Sequence, residues 1–407
     1  MAREMKDSGI QWVGIIPADW ECRRLRFLCE IQTGNQDTQD SIPDGLFPFY
    51  VRSPIVERSN KYTFEGPAIL MAGDGAGAGR VFHYVDGKYG CHQRVYSLQK
   101  ITDINRRFLY YYLSNLFYRE IEIANSKSTV DSVRLPMLQN FQVVFPNDHK
   151  QKKIVEHLDS KCAEIDAVLN KTRTSIEEYK KLKQAIITQA VTKGIRGDRP
   201  MKESGIEWVP MIPEDWSNYR GKHLFYETNE RSETGSEELL TVSHKTGITP
   251  RRQKNVNMFM SESLVGYKIC REGDIAANTM WMWQGAIGVS AYHGVISPSY
   301  NTYHQRNNAF DLQYLDYLLR IPPLVDQYNV CSTGITASRL RLYPEQFLSF
   351  NFPVPSMEEQ REIVMFLRSR VDEMDALIQK KEQFLAELET YKKSLIYEYV
   401  TGKKEVV

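Results

Sequence analysis

The residues that come closest to a chemical site in this 407-residue chain are Gly75, Gly77 and Gly79. They follow the apolar run Ala68-Ile-Leu-Met-Ala, and an apolar strand leading into Gly-x-Gly-x-Gly is the arrangement that holds S-adenosylmethionine in methyltransferases. Such a loop has to open into a helix, whereas Arg80 to Gly90 reads as strand and turn. No Asn-Pro-Pro-aromatic or Asp-Pro-Pro-Tyr motif is present to grip a target base, since Ile321-Pro322-Pro323-Leu324 lacks both the amide and the aromatic ring. The competing reading is that these glycines let the backbone approach a neighbouring strand or a phosphate closely. Gln284 to Val289 occupies a corresponding place later in the chain without the full glycine spacing, which suits a fold element better than a cofactor site.

Other catalytic constellations are missing. There is no GxxxxGK[ST] loop for a nucleoside triphosphate, and the eight histidines form no H-E-x-x-H pair. Six cysteines lie far apart without CxxC spacing and read as free core thiols. The 52 basic residues nearly cancel the 51 acidic ones, so any contact with a polyanion has to be local. One such place is Ser243 to Asn255, which carries Lys245, Arg251, Arg252 and Lys254 without an acid, beside His244 and Gln253. Lysine and arginine supply phosphate contacts there, and the imidazole and amide suit base edges. Asn278 and Gln284 flank Trp281 and Trp283, whose spacing of two would put both rings on one face of a strand. Earlier in the chain, Asn35 and Gln36, then His92, Gln93 and Arg94, have the types that read a major groove. Ser128, Thr129 and Arg134 have a phosphate-clamping composition that recurs as Ser332, Thr333 and Arg339. For each the bland alternative is a solvated polar loop. The tyrosines at 110 to 112, 314 and 317 recur at helical spacing beside leucines and belong to packing.

The elements that must carry these residues are organised by two long helices. From Gln151 to Thr192 one edge reads Val155, Cys162, Leu169, Ile176, Lys183, Ala190 and the other Leu158, Ile165, Thr172, Tyr179, Ile186, a heptad seam free of Pro and Gly. Pro146 to Thr192 placed over Pro355 to Thr401, an offset of 209, gives 15 identities in 47 positions, including Gln151/Gln360, Asp166/Asp375 and Lys183/Lys392. A lysine at a nominally buried seam position costs stability but fixes register, unless it merely snorkels at the edge. Apolar residues outside the seam, Val168 and Ile187 with Leu377 and Ile396, give each helix a second adhesive face. A further repeat sets Met5 to Trp20 over Met201 to Trp216 with 11 identities in 16. The chain is therefore two half-chains, each a head, a variable body and a long helix. Short strand-like runs (68–71, 142–145, 286–289, 348–352) and helical segments make the bodies mixed α and β. Lys193 to Pro200 reads as a short hinge. The expected fold is α+β: two mixed α/β globular domains at 1–145 and 198–354, separated by two long antiparallel coiled-coil helices at 146–197 and 355–407, in a pseudo-two-fold internal repeat.

Two unlike bodies, two like helices, the SGIxWVxxIPxDW heads and the Pro-x4-Gln-x2-Ile-Val helix openings together resemble the specificity subunit of type I restriction-modification systems, over essentially the whole chain. The resemblance implies that each body is a target recognition domain reading one half of a bipartite site in double-stranded DNA. It implies that the helices hold the domains apart and dock two methyltransferase subunits. S-adenosylmethionine and the chemistry would then belong to those partners, and restriction subunits with helicase and nuclease activity could join. The chain itself would be no enzyme and need no cofactor or metal. The absence of a long apolar run or an apolar N-terminal region points to a cytoplasmic protein without membrane contact. Two alternatives are a DNA adenine methyltransferase with its own S-adenosylmethionine site and a structural coiled-coil adaptor, which would leave the basic Ser243 to Asn255 stretch without a purpose.

Overall fold

In the computed structural model, which describes residues 3–124, 132–254, 263–334 and 340–406, the two heptad runs form continuous helices at Asp148–Lys193 and Met357–Val400. Their starts are set by local chemistry that repeats at the offset of 209. Asn147 Oδ1 accepts from Lys150 N at 3.0 Å, and Ser356 Oγ accepts from Glu359 N at 3.2 Å, each satisfying a helix-start amide that has no partner within the helix. Gly194 (φ +76°) and Gly402 (φ +72°) stop the helices in the left-handed region that glycine reaches without strain. The repeated glutamines fasten the start of each helix to its own body. Buried Gln151 accepts from Asn105 N at 2.7 Å and donates to Pro146 O at 2.7 Å, and buried Gln360 accepts from Asp311 N at 2.8 Å and donates to Pro355 O at 3.0 Å.

Two compact units result, Met1–Arg173 with Gln383–Val407, and Thr174–Glu382, so each unit holds part of both helices. In the first unit, Lys392 Nζ meets both carboxylate oxygens of Asp166 at 2.7 Å and Arg173 reaches Glu389 at 2.6 Å. In the second unit, Lys183 meets Asp375 at 2.5 Å and Lys180 lies 3.8 Å from Glu382. In each unit the contacts run up one helix and down the other, which makes the pairing antiparallel. Both seam lysines therefore have partners, and lysine and partner are themselves repeat equivalents. Leu158, Cys162, Ile165 and Leu169 are buried in the first core and Ala190, Val191, Ile363 and Leu367 in the second.

The bodies share a topology that their sequences conceal. The first has an antiparallel sheet ordered Glu30–Thr33, Val95–Gln99, Ala68–Ala72, Phe82–Val85, and the second one ordered Phe225–Thr228, Asn301–Gln305, Ile275–Ala277, Ile287–Val289. Numbered along the chain, both read first, fourth, second, third. Tyr111 and Tyr112 lie buried on the helix Arg106–Ala124 and Tyr314 on Leu312–Leu319, as their spacing predicts. In the second body that helix is interrupted, because Pro322 cannot continue it and starts a new one, Pro322–Cys331. Two local expectations need correction. Leu348 to Phe350 are not strand: a short helix, Pro344–Phe347, delays the strand to Asn351–Val354. Nor is Lys193 to Pro200 a free hinge, since Arg196 binds Glu362 at 2.9 Å and Arg199 pairs with Glu359.

The heads pack on helix ends, with Ile10, Val13, Ile16 and Trp20 in the first core and Ile206, Val209, Ile212 and Trp216 in the second. Here the repeat breaks its own symmetry. Trp216 Nε1 donates to buried Glu359 at 3.0 Å, and Glu359 also receives Arg199, which in turn bonds Asp215 and holds that carboxyl below its usual range. In the other half the equivalent of Glu359 is Lys150, which pairs with Asp19 at 2.7 Å, and Trp20 Nε1 is buried without a partner among the described residues. A lysine cannot accept the indole proton, which accounts for the orphan. Glu359→Ala would strand the Trp216 indole and leave the largely buried Arg199 guanidinium with only the exposed Asp215, and should cost about 3–5 kcal/mol, whereas Lys150→Ala, at a half-exposed pair, should cost less than about 1 kcal/mol. Urea midpoints of the two variants check this contrast.

Candidate nucleic-acid interface

In the first body the turn after Ala68–Ala72 and the loop after Lys88–Cys91 face each other across a cleft of about 450 Å³ lined by Thr33, Asp74, Gln93, Arg94 and Arg134 among others. Three candidates from distant parts of the sequence, Gln93, Arg94 and Arg134, thus converge. Arg94 and Arg134 are exposed, and Gln93 reaches Asp37 at 3.3 Å. Asp74, whose type and position gave no sequence signal, lies between Arg52 (3.1 Å) and Arg94 (2.8 Å). Asn35 is exposed and accepts from Thr63 Oγ1 at 2.9 Å.

Gln36 and His92 are corrected as base readers. Both are buried, Gln36 Nε2 donates to Lys61 O and Thr63 Oγ1 at 3.1 Å, and His92 Nδ1 accepts from Arg94 N at 3.0 Å. Their work is to fix the loops that present Asn35, Gln93 and Arg94. Ser128 and Thr129 lie outside the described residues, as do Arg339 and Asn255.

The glycine loop is used for packing. Gly75 takes φ +70° in a single 3-10 turn, Gly75–Gly77, and strands rather than a helix follow. A Cβ on Gly77 would stand 2.3 Å from Arg52 O, and one on Gly79 would stand 2.2 Å from Ile121. The close approach is therefore to neighbouring chain.

In the second body His244 and Lys245 form the exposed tip of the hairpin Leu240–Ser243/Gly247–Pro250, held from beneath by Arg320, which donates to their carbonyls at 3.3 and 3.0 Å. Arg251 and Arg252 follow on a 3-10 turn, with Arg252 2.8 Å from Glu238. Lys254 is half-buried, and desolvation draws its ammonium pKa below the ordinary value. Asn278 is corrected in the same way as Gln36: it is buried, donating to Tyr300 Oη at 2.9 Å and accepting from Met280 N at 3.2 Å. Trp281 and Trp283 do not share a strand face. They flank the start of the 3-10 turn Met282–Gln284 with rings stacked 6.1 Å apart, Trp281 exposed and Gln284 half-buried. Ser332 Oγ donates to Tyr328 O at 2.6 Å, while Thr333 is exposed.

Among the described residues no group of His, Cys, Asp and Glu could hold a metal ion, and burial pushes the thiols of Cys29, Cys91 and Cys270 up to about 12, far from a reactive thiolate.

Residues 17–178 match the model of the type I restriction modification DNA specificity domain. Over 211 residues the chain is 25% identical to the EcoDI specificity subunit of Escherichia coli, an alignment spanning 52% of this chain and 46% of that protein. It is 24% identical to the MjaVIII specificity subunit of Methanocaldococcus jannaschii, spanning 96% of this chain and 94% of that one. A chain from a solved type I restriction-modification assembly has the same fold, with TM-score 0.68 at 16% identity over 96% of this chain and 99% of that one. In sequence and in fold the chain is similar to type I specificity subunits.

The remaining candidates lie on the long helices. Ile187 and Ile396 are corrected as partner-facing residues: they are 8% and 7% exposed, closed into the two cores. Val168 remains exposed and Leu377 half-exposed. The residues that sequence reasoning missed are Leu182, Phe384 and Tyr391, all exposed. At heptad spacing they complete two repeat-equivalent stripes, Val168, Ser175, Leu182 and Leu377, Phe384, Tyr391. The missed signal was that spacing of seven from Val168 and Leu377.

If Arg251 and Arg252 meet phosphates, replacing both with Ala should lower the slope of log K against log salt by about 0.9 for each phosphate left without its cation. Filter-binding titrations over salt check this, and an unaltered slope would place the phosphate-binding cations elsewhere.

Proposed function

We propose that each body reads one half of a bipartite site in double-stranded DNA, and that the paired helices set the spacing of the half-sites and carry two methyltransferase subunits. The observation that carries this reading is the match of residues 17–178 to the DNA specificity domain together with a second body of the same strand order. Base reading in the first body falls to Asn35, Gln93 and Arg94, with Arg134 on phosphate. In the second it falls to His244, Lys245 and Gln284, with Arg251, Arg252 and Lys254 on phosphate. Methyl transfer and S-adenosylmethionine belong to the partner subunits. A chain that marks host DNA in this way works in the cytoplasm, and among the described residues no helix is long and apolar enough to cross a membrane.

The partner surface is the pair of stripes, since exposed apolar side chains at heptad spacing are what a facing helix buries. Val168→Glu with Leu182→Glu should abolish association with the methyltransferase subunit while leaving the thermal midpoint within a few degrees, because both side chains already face solvent. Gel filtration of the co-expressed chains reads the outcome. Purified alone, the chain should transfer no methyl group to DNA, and gain site-specific methylation only on addition of that subunit. Incorporation of labelled methyl by the single chain would favour the methyltransferase alternative.

A further inference from the structure

Resting on the DNA-reading role above, we infer that Arg94 reads a guanine in the half-site of the first body, and that Asp74, anchored by Arg52, is the positioning residue that aims it. Asp74 Oδ2 accepts from Arg94 Nη1 at 2.8 Å and Oδ1 from Arg52 Nη1 at 3.1 Å. The carboxylate is 16% exposed, whereas Arg94 is 60% exposed. One end of the pair is thus built into the wall and the other stands in the cleft. The backbones are fixed as well: Gly73 N donates to Arg94 O at 2.9 Å, Val133 N to Gly73 O at 2.8 Å, and Arg94 N to the buried His92. A Cβ on Gly73 would stand 2.9 Å from the Tyr96 ring and 3.0 Å from Arg94 O, so a glycine is what lets the Asp74 turn lie against Arg94.

Of the three guanidinium nitrogens of Arg94, Nη1 alone is bonded among the described residues. Nε and Nη2 remain as a planar two-donor fork. In the major groove guanine offers two acceptors side by side, O6 and N7, while adenine and cytosine present amino donors that reject a guanidinium. A phosphate contact depends first on positive charge. A nearly buried carboxylate at 2.8 Å offsets that charge, which weakens a phosphate contact, and holds the guanidinium in one orientation, which a base edge requires. Gln93 and Arg134 share the cleft, where an amide and a second cation suit the neighbouring base and the backbone.

The experiment selects bound duplexes from a randomised pool with the full chain, in the complex purified through a tag on it, for the parent protein and for Arg94→Ala, Asp74→Ala and Asp74→Glu. The parent should fix a guanine at one position whose preference falls roughly 5- to 100-fold in Arg94→Ala. The preference should fall at the same position in Asp74→Ala and recover in part with the longer carboxylate of Asp74→Glu, while the other half-site stays unchanged. Replacing that guanine by 7-deazaguanine, which lacks N7, should weaken the parent and leave Arg94→Ala indifferent. If Asp74→Ala does not fold, Arg94→Ala and the base analogue decide the question. Uniform weakening of all sequences by Arg94→Ala with a shallower salt slope would make Arg94 a phosphate contact and overturn the inference, as would full guanine preference in a folded Asp74→Ala. A parent protein that enriches no sequence would overturn the DNA-reading role itself, and this inference with it.

Discussion

The lysine held within an apolar helix seam is the constraint on which the rest depends. Lys183 and Lys392 stand where leucine would pack, and each is answered by an aspartate of the other helix, Asp375 and Asp166. The lysine side chains are 26% exposed and their partners about half exposed. Pairs so open to water are worth at most about 1 kcal/mol each. Their value is in what they forbid: sliding either helix by a turn leaves an ammonium against apolar side chains and a carboxylate without its partner. Register and antiparallel sense are thereby set, and the glutamines and head tryptophans then tie each body to a defined place on the helices.

What repeats and what diverges follows from that division. Helix caps, Gln151/Gln360, the heads and the lysine pairs recur because each body needs the same attachment. The strand order recurs although the side chains on it differ. Side chains lining the first-body cleft and the second-body hairpin have no such requirement and share nothing. Even the frame tolerates change at its rim, where Lys150 stands for Glu359 and an indole is left unpaired among the described residues.

The frame was legible because its signals are periodic or repeated. The seam, the head repeat and the offset of 209 gave the helices to within a few residues, and the tyrosine spacing gave core positions. The site was legible only in part, because exposure is a three-dimensional property. Gln36, His92 and Asn278 have the side chains of base readers yet are enclosed, since loops that must hold a fixed shape use the same amides and imidazoles internally. Ile187 and Ile396 lie off the seam but under a body, which no helical wheel reveals. Asp74 carried no signal because its meaning arises from Arg52 and Arg94 meeting across 42 residues of chain. Trp281 and Trp283 were misassigned because a left-handed Gly285 closes a turn where alternation suggested a strand.

The central claim is that the bodies read and the helices space. It is tested most directly by inserting three heptads that continue the seam after Arg173 and again after Glu382. The insertions leave Lys392 with Asp166 and Lys183 with Asp375, because each pair lies within one unit. Twenty-one added residues lengthen the helices by ~31 Å, close to one turn of B-DNA, so both bodies should meet the same face of the duplex as before. Selection of bound sequences by the lengthened chain should return the same two half-sites with a spacer longer by roughly nine or ten base pairs. Unchanged spacing, or altered bases in either half-site, would contradict it.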